Sequence, residues 1–262
     1  MSEPDPLTEE EVHAKWAEIA ELIEVMTTRV QTPDEFAVHP NSDLAADDAA
    51  SSPFHTSHAA RWCLNAGVDH LHALKSLVID AGRIHSSASY GLVRGALENF
   101  GAGYWVLHPN DQTSRVERAL RWWAKNFRDQ DTATKDLALP NYTALEVKIE
   151  RLVEIGQRAG CDPHEVRTQN YFSTRVLKYA TKHSSASNPL LIWQLCSGFA
   201  HGRPWASLGM NEMKRGSDDP EDGVSQVRLT ADHKRMLAVT LPAFHLMTDL
   251  VRLMQDRSRA AD

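Results

Sequence analysis

Between Ser86 and Leu107 the chain is apolar on almost every side of a helix, yet it carries four glycines, Gly91, Gly95, Gly101 and Gly103. Glycine inside a helix costs about 1 kcal/mol relative to alanine. A segment that accepts several holds its form when neighbours pack close against its backbone. The face made by Val93, Leu97, Phe100, Tyr104 and Leu107 is strongly apolar. This spacing predicts a central helix covered on most sides by others, and with it a mainly α fold.

The remaining periodicity fills in that fold. Thr8 and Glu11 form a capping box before a first helix whose apolar face reads Val12, Trp16, Ile19, Ile23, Met26 and Val30. Periodicity then stops, and the Pro-, Asp-, Ser- and Ala-rich stretch to His55 reads as a long mobile connection. A second helix is predicted from about Ser57 to Ala81. A fourth opens at Ser114, with Glu117 completing another capping box, and a fifth runs from Thr143 to a C-capping Gly160. Asp162-Pro163 starts a short turn, and Phe172 to Ala180 is a short helix. Asn188-Pro189 provides the N-cap and first residue of a helix ending near Ala200. Ser207–Met210 and Val224–Leu229 predict a small β-hairpin, after which Thr230 caps a long last helix kinked at Pro242. The expected architecture is therefore a multi-helix bundle with a small β-hairpin before the last helix. Residues 1–30 form an N-terminal helix, 31–56 a linker and 57–262 the helical-bundle domain.

Composition narrows the function classes. With 262 residues, 42% of them apolar, and a net charge of −7, the chain supports a sizeable core and disfavours general affinity for nucleic acid or anionic membrane. The acidic start MSEPDPLTEEE is unlike a signal peptide, and Arg94 and Glu98 interrupt the longest weakly charged stretch, so no membrane association is expected. Cys63, Cys161 and Cys196 lie far apart without a CxxC pair, which suits a reducing compartment; the expected location is cytoplasmic. No HExxH, no Cys/His ligand spacing, no Gly-rich phosphate loop and no Rossmann fingerprint occurs, so neither metal nor cofactor is expected.

Three sets of side chains are candidates for chemistry. Arg94 and Glu98 are the charged residues of the central helix, spaced to pair at i, i+4. They form either an internal salt bridge that sets helix register or the wall of a pocket that offers Arg94 to an anionic ligand. Gln194, Ser197 and His201 make a thin polar stripe on an apolar helix that ends at Gly202 and Pro204. His201 either closes a polar network to another helix or acts as a general base or ligand contact. Arg118, Arg121, Lys125 and Arg128 form a basic stripe opposite the apolar face of the fourth helix, with Trp122 on its edge. Such a stripe is either a solvated face or a contact for an anion, RNA or a second subunit.

The pairing of Leu92-Val-Arg-Gly-Ala-Leu-Glu98 with Cys196-Ser-Gly-Phe-Ala-His-Gly202 resembles a broad set of uncharacterised bacterial helical proteins. In that set an R-x-x-x-E helix precedes an S-x-x-x-H-G helix end. It is in turn distantly similar to the HEPN helical-bundle group, some of whose members are ribonucleases or toxins. The resemblance covers about residues 57–205 and the last helix, and it implies a fold more than an activity. Active HEPN nucleases place an Arg, four to six intervening residues and then a His on one helix. Arg228 and His233, and Arg158 and His164, have this spacing, but His201 has no such arginine before it.

Three functions follow as expectations. The first is a helical binding or oligomerisation module, a homo-oligomer or a partner for another protein, with the first helix as docking element. The second is a HEPN-like enzyme acting on RNA, with His201 as base and Arg94 on phosphate. The third is a small-molecule sensor whose pocket lies between the central helix and the 190–201 helix.

Overall fold

The computed structural model describes residues 7–137, 140, 142–168, 171–215 and 227–260. Eleven α-helices and one two-stranded hairpin occur among them, so the expected bundle with a hairpin before the last helix is the observed architecture. The helices are α1 Glu9–Gln31, α2 Asp43–Ser51, α3 Thr56–Lys75, α4 Ala88–Leu107, α5 Gln112–Thr134 and α6 Leu145–Arg158. They continue with α7 Pro163–Thr168, α8 Ser173–His183, α9 Pro189–Ala200, α10 Pro204–Met210 and α11 His233–Ser258. A single π-turn, Ser76–Asp80, extends α3.

The glycine-rich helix is α4, and it is the centre of the bundle, packed by α3, α8, α9 and α11. Close approach explains most of its glycines. A Cβ on Gly95 would lie 2.5 Å from the His70 ring of α3, and one on Gly103 would lie 2.7 Å from Leu250 of α11. Gly91 differs, because nothing lies within 4 Å of a Cβ built there. Tyr90 of α4 stacks on Phe199 of α9, with ring centroids 3.7 Å apart. A second, smaller apolar cluster is made by α5, α6 and α7 around Leu120, Leu152 and Val166.

The first helix belongs to the main core. The Thr8–Glu11 capping box forms as expected, and Trp16, Ile19 and Ile23 are buried in the same cluster as α4. The segment read as a mobile linker carries α2, whose Asp47 and Ser51 are fully buried. Its signal was hidden because α2 buries a single large apolar side chain, Leu44, and otherwise polar side chains that pair. Asp47 takes both nitrogens of the Arg115 fork, at 2.6 and 2.9 Å, and Ser51 Oγ donates to the Asp47 carbonyl and accepts from the Thr56 amide.

Several boundaries move for identifiable reasons. Helix α5 starts a turn earlier than Ser114, because Asp111 accepts the Ser114 amide at 2.8 Å and replaces the expected capping box. Asn188 occupies the N-cap of α9 in the left-handed region, φ 47°, without a side-chain cap bond. Residues 207–210 are helical, since Pro204 begins α10 at its first position. The first strand is Glu212–Arg215, paired antiparallel with Val227–Thr230 in the register Glu212–Thr230. The expected second strand from residue 224 falls partly outside the described residues. Helix α11 is capped by Asp232 rather than Thr230 and runs on through Pro242. Among the described residues this is the one helix long and apolar enough to cross a membrane, and 61% of that apolar window is buried inside the fold.

All three cysteines are free and buried. Burial pushes each thiol up to about 12, so they stay protonated at neutral pH and pack as small hydrophobes.

Candidate functional site: three hollows around α4, α5, α8 and α9

The Arg94–Glu98 pair forms, with Arg94 Nη2 at 3.1 Å from Glu98 Oε1. The same oxygen accepts the indole N–H of Trp193 from α9 at 2.7 Å. The guanidinium of Arg94 lies 5.9 Å from the centroid of that indole ring. Arg94 Nε is buried without a partner. The two charged side chains keep 30% and 28% of their exposure, so the pair is part of a wall rather than a sealed bridge. It borders a hollow of about 440 Å³ between α4, α5 and the residues Tyr171–Ser173.

The polar stripe Gln194, Ser197 and His201 lines a second hollow of about 380 Å³, together with Trp193, Arg203 and Trp205. His201 caps the end of α9 and is exposed. Gly198 is required there, since a Cβ would lie 2.7 Å from Ala206 and 2.8 Å from the Trp205 ring. Arg94 and His201 line different hollows; Trp193 bonds Glu98 of the first and lines the second.

The basic stripe of α5 divides. Lys125 is engaged by Asp129 on its own helix, and Arg128 donates to the Arg167 carbonyl. Arg118 and Arg121 instead converge on a third hollow of about 410 Å³ with Arg175, Lys178, Lys182 and His183 from α8. Helix α8 buries Val176, Leu177 and Ala180, which turns its basic residues outward. Stacking orients the α5 arginines: Arg118 lies 5.1 Å from the Trp105 centroid and 4.4 Å from Tyr179, and Arg121 lies 5.3 Å from Trp105. Arg118 also donates to the Trp105 carbonyl at 2.8 Å. Glu117 and Glu165 reach Arg121 at 3.2 and 3.5 Å, whereas Lys178 and Lys182 make no ion pair among the described residues. The α8 contribution was missed in the sequence because no short-range pattern links residues 118–121 to 175–183. The available signal was the spacing Arg175, Lys178, Lys182 on one face of an amphipathic helix.

Behind this hollow lies a packed ring cluster. His108 Nδ1 and the Tyr179 hydroxyl are 2.7 Å apart, the His183 ring lies tilted against Tyr179 with centroids 4.4 Å apart, and the Tyr104 hydroxyl donates to the His183 carbonyl at 2.6 Å. Burial holds His108 below the usual imidazole range, and the facing His183, Arg118 and Arg257 push it the same way. The folded state therefore favours neutral His108. Its contribution to stability is present above the ordinary imidazole pKa and is lost as pH falls through the lowered folded value. Taking thermal midpoints from about pH 7.5 down to about 5.5, wild type should lose more than His108→Gln. Equal losses would remove this role from His108.

Comparison of the chain with protein-family models, with curated proteins and with solved structures finds no match in any of the three, leaving the hollows themselves as the basis for function.

Proposed function

We propose that this protein is a helical binding module that takes a compact phosphate-bearing ligand in the basic hollow between α5 and α8. The carrying observation is the convergence of Arg118, Arg121, Arg175, Lys178 and Lys182 on one concavity, in a chain whose net charge is −7. Such a local excess of cations works against the overall charge, and the stacked guanidiniums are held in place before any ligand arrives. Planar forks and ammonium groups together suit the oxygens of a phosphate ester.

Compactness follows from what lies outside the hollow. Lys125, Arg128 and Arg167 are each occupied by Asp129, a backbone carbonyl and Glu150. No row of unoccupied cations leads away along α5, so the positive field is a spot rather than a track for a polymer. The nuclease expectation, with Arg94 and His201 on one phosphate, draws less support from two residues lining separate hollows.

Calorimetry with ATP, AMP, pyrophosphate and a short single-stranded RNA tests the reading. Nucleotide is expected to bind in a salt-dependent manner, and Lys178→Ala/Lys182→Ala should weaken it about tenfold or more, as loss of charged hydrogen bonds does. These side chains are exposed, so the fold is expected to tolerate the change. Affinity that climbs with RNA length would replace the compact ligand by a polymer. Unchanged binding in the double variant, or no binding of any phosphate compound, would end the proposal.

A further inference from the structure

The hollow beside Arg94 differs in kind from the basic one, and its chemistry is independent of the phosphate reading. Two helices supply it with one cation and one anion each. Helix α4 contributes Arg94 and Glu98, and α5 contributes Lys125 and Asp129. Their formal charges cancel, so a simple anion or cation is not attracted over a distance. A molecule that carries both charges can address both kinds of group at once.

The carboxylate of Glu98 is only half engaged. Its Oε1 takes both Arg94 and the Trp193 indole, while Oε2 accepts no hydrogen bond among the described residues. The Trp193 bond fixes the orientation of the carboxylate, and the Glu98 side chain lines the hollow. Aromatic surface lines the same space, from Trp122 on α5 and from Tyr171 and Phe172 ahead of α8. Phe172 keeps 55% of its surface exposed, so its ring is open to a ligand. At about 440 Å³ the hollow has room for a single aromatic metabolite.

We infer that this hollow binds an aromatic α-amino acid as its zwitterion, the ammonium on Glu98, the carboxylate on Arg94, and the ring on Trp122 and Phe172, with the closed Lys125–Asp129 pair lining the same space. Charge-bearing hydrogen bonds at both ends, and a ring covered by rings, are what such a ligand needs.

The test uses the full chain and four small probes. L-Phenylalanine and L-tryptophan at millimolar concentration should bind by calorimetry and raise the thermal midpoint. L-Phenylalaninamide, which lacks the carboxylate, and N-acetyl-L-phenylalanine, which lacks the ammonium, should each bind about tenfold more weakly or worse. Glu98→Gln should weaken L-phenylalanine but not N-acetyl-L-phenylalanine, because only the former loses an ammonium contact, while Arg94 is released from Glu98 for the carboxylate of either. The probe series needs no variant, so it decides even if Glu98→Gln fails to fold. Absence of binding by both amino acids, or equal binding of phenylalanine and its two blocked derivatives, would overturn the inference. A positive result that survives Lys178→Ala/Lys182→Ala would separate this site from the phosphate site.

Discussion

Replacing Asp47 with alanine is expected to lower the unfolding free energy by about 3–5 kcal/mol, the cost of leaving a buried charge without its partner. Asp47 and Arg115 are 0% and 3% exposed as side chains, and their two bonds match the carboxylate to the guanidinium fork. Arg115 would keep its bonds to the Pro109 and Asn110 carbonyls at 3.1 and 2.7 Å, but those oxygens do not neutralise it. Asp43, at 4.0 Å, is too distant and too exposed to substitute. Burial pushes the Asp47 carboxyl above its usual range, with Arg115 pulling it back, so its ionised form depends on that partner. Urea denaturation of Asp47→Ala, Arg115→Met and the double variant measures the coupling between the two charges. The double variant should recover a substantial part of the loss, since no orphan charge remains. A loss under about 1 kcal/mol in Asp47→Ala, the scale of an exposed pair, would show that the bridge does not anchor α2.

Truncating Trp16 to alanine is expected to cost a similar amount, about 3–5 kcal/mol, through lost burial and the cavity left behind. Trp16 is 1% exposed, and its indole donates to the His233 carbonyl at 3.0 Å. That bond ties the first helix to the start of the last, across 217 residues of sequence. The apolar face that the sequence offered as a docking element for a partner is thus occupied by this chain's own core. One cooperative unfolding transition, shifted as a whole in Trp16→Ala, is the expected observation. A small change confined to the helical signal of α1 would mean that residues 1–30 are separable after all.

These two residues show where sequence reasoning reached and where it stopped. Trp16 was legible as part of an apolar stripe, because a helical period needs only neighbours three and four positions away. Whether that stripe met this chain or another was not, since the answer lies at His233. Asp47 was illegible altogether. A run of Asp, Ala and Ser carries no apolar period, and its helix persists because Arg115, 68 positions later, satisfies the buried carboxylate. The hairpin was foreseen in kind but displaced, because Pro204 turned the expected first strand into α10.

The candidate sites divide along the same line. Arg94 and Glu98 were paired by their spacing, and they do pair. Their third partner, Trp193, came from a helix 95 residues away. The basic stripe of α5 was visible as four residues. Only packing decided that Arg118 and Arg121 would share a hollow with α8 while Lys125 and Arg128 were occupied elsewhere.

By itself the sequence determined the helical class, the glycine-rich α4 as its centre, the capping box of α1 and the i, i+4 pairing of Arg94 with Glu98. These rest on interactions within about one helical turn, where covalent spacing sets the geometry. The tertiary structure decided that α2 belongs to the fold, that the apolar face of α1 is covered by this chain's own core, and that opposite and like charges gather in two separate hollows. Those outcomes depend on distant segments meeting, and no local period encodes which distant charge a buried or clustered side chain will meet.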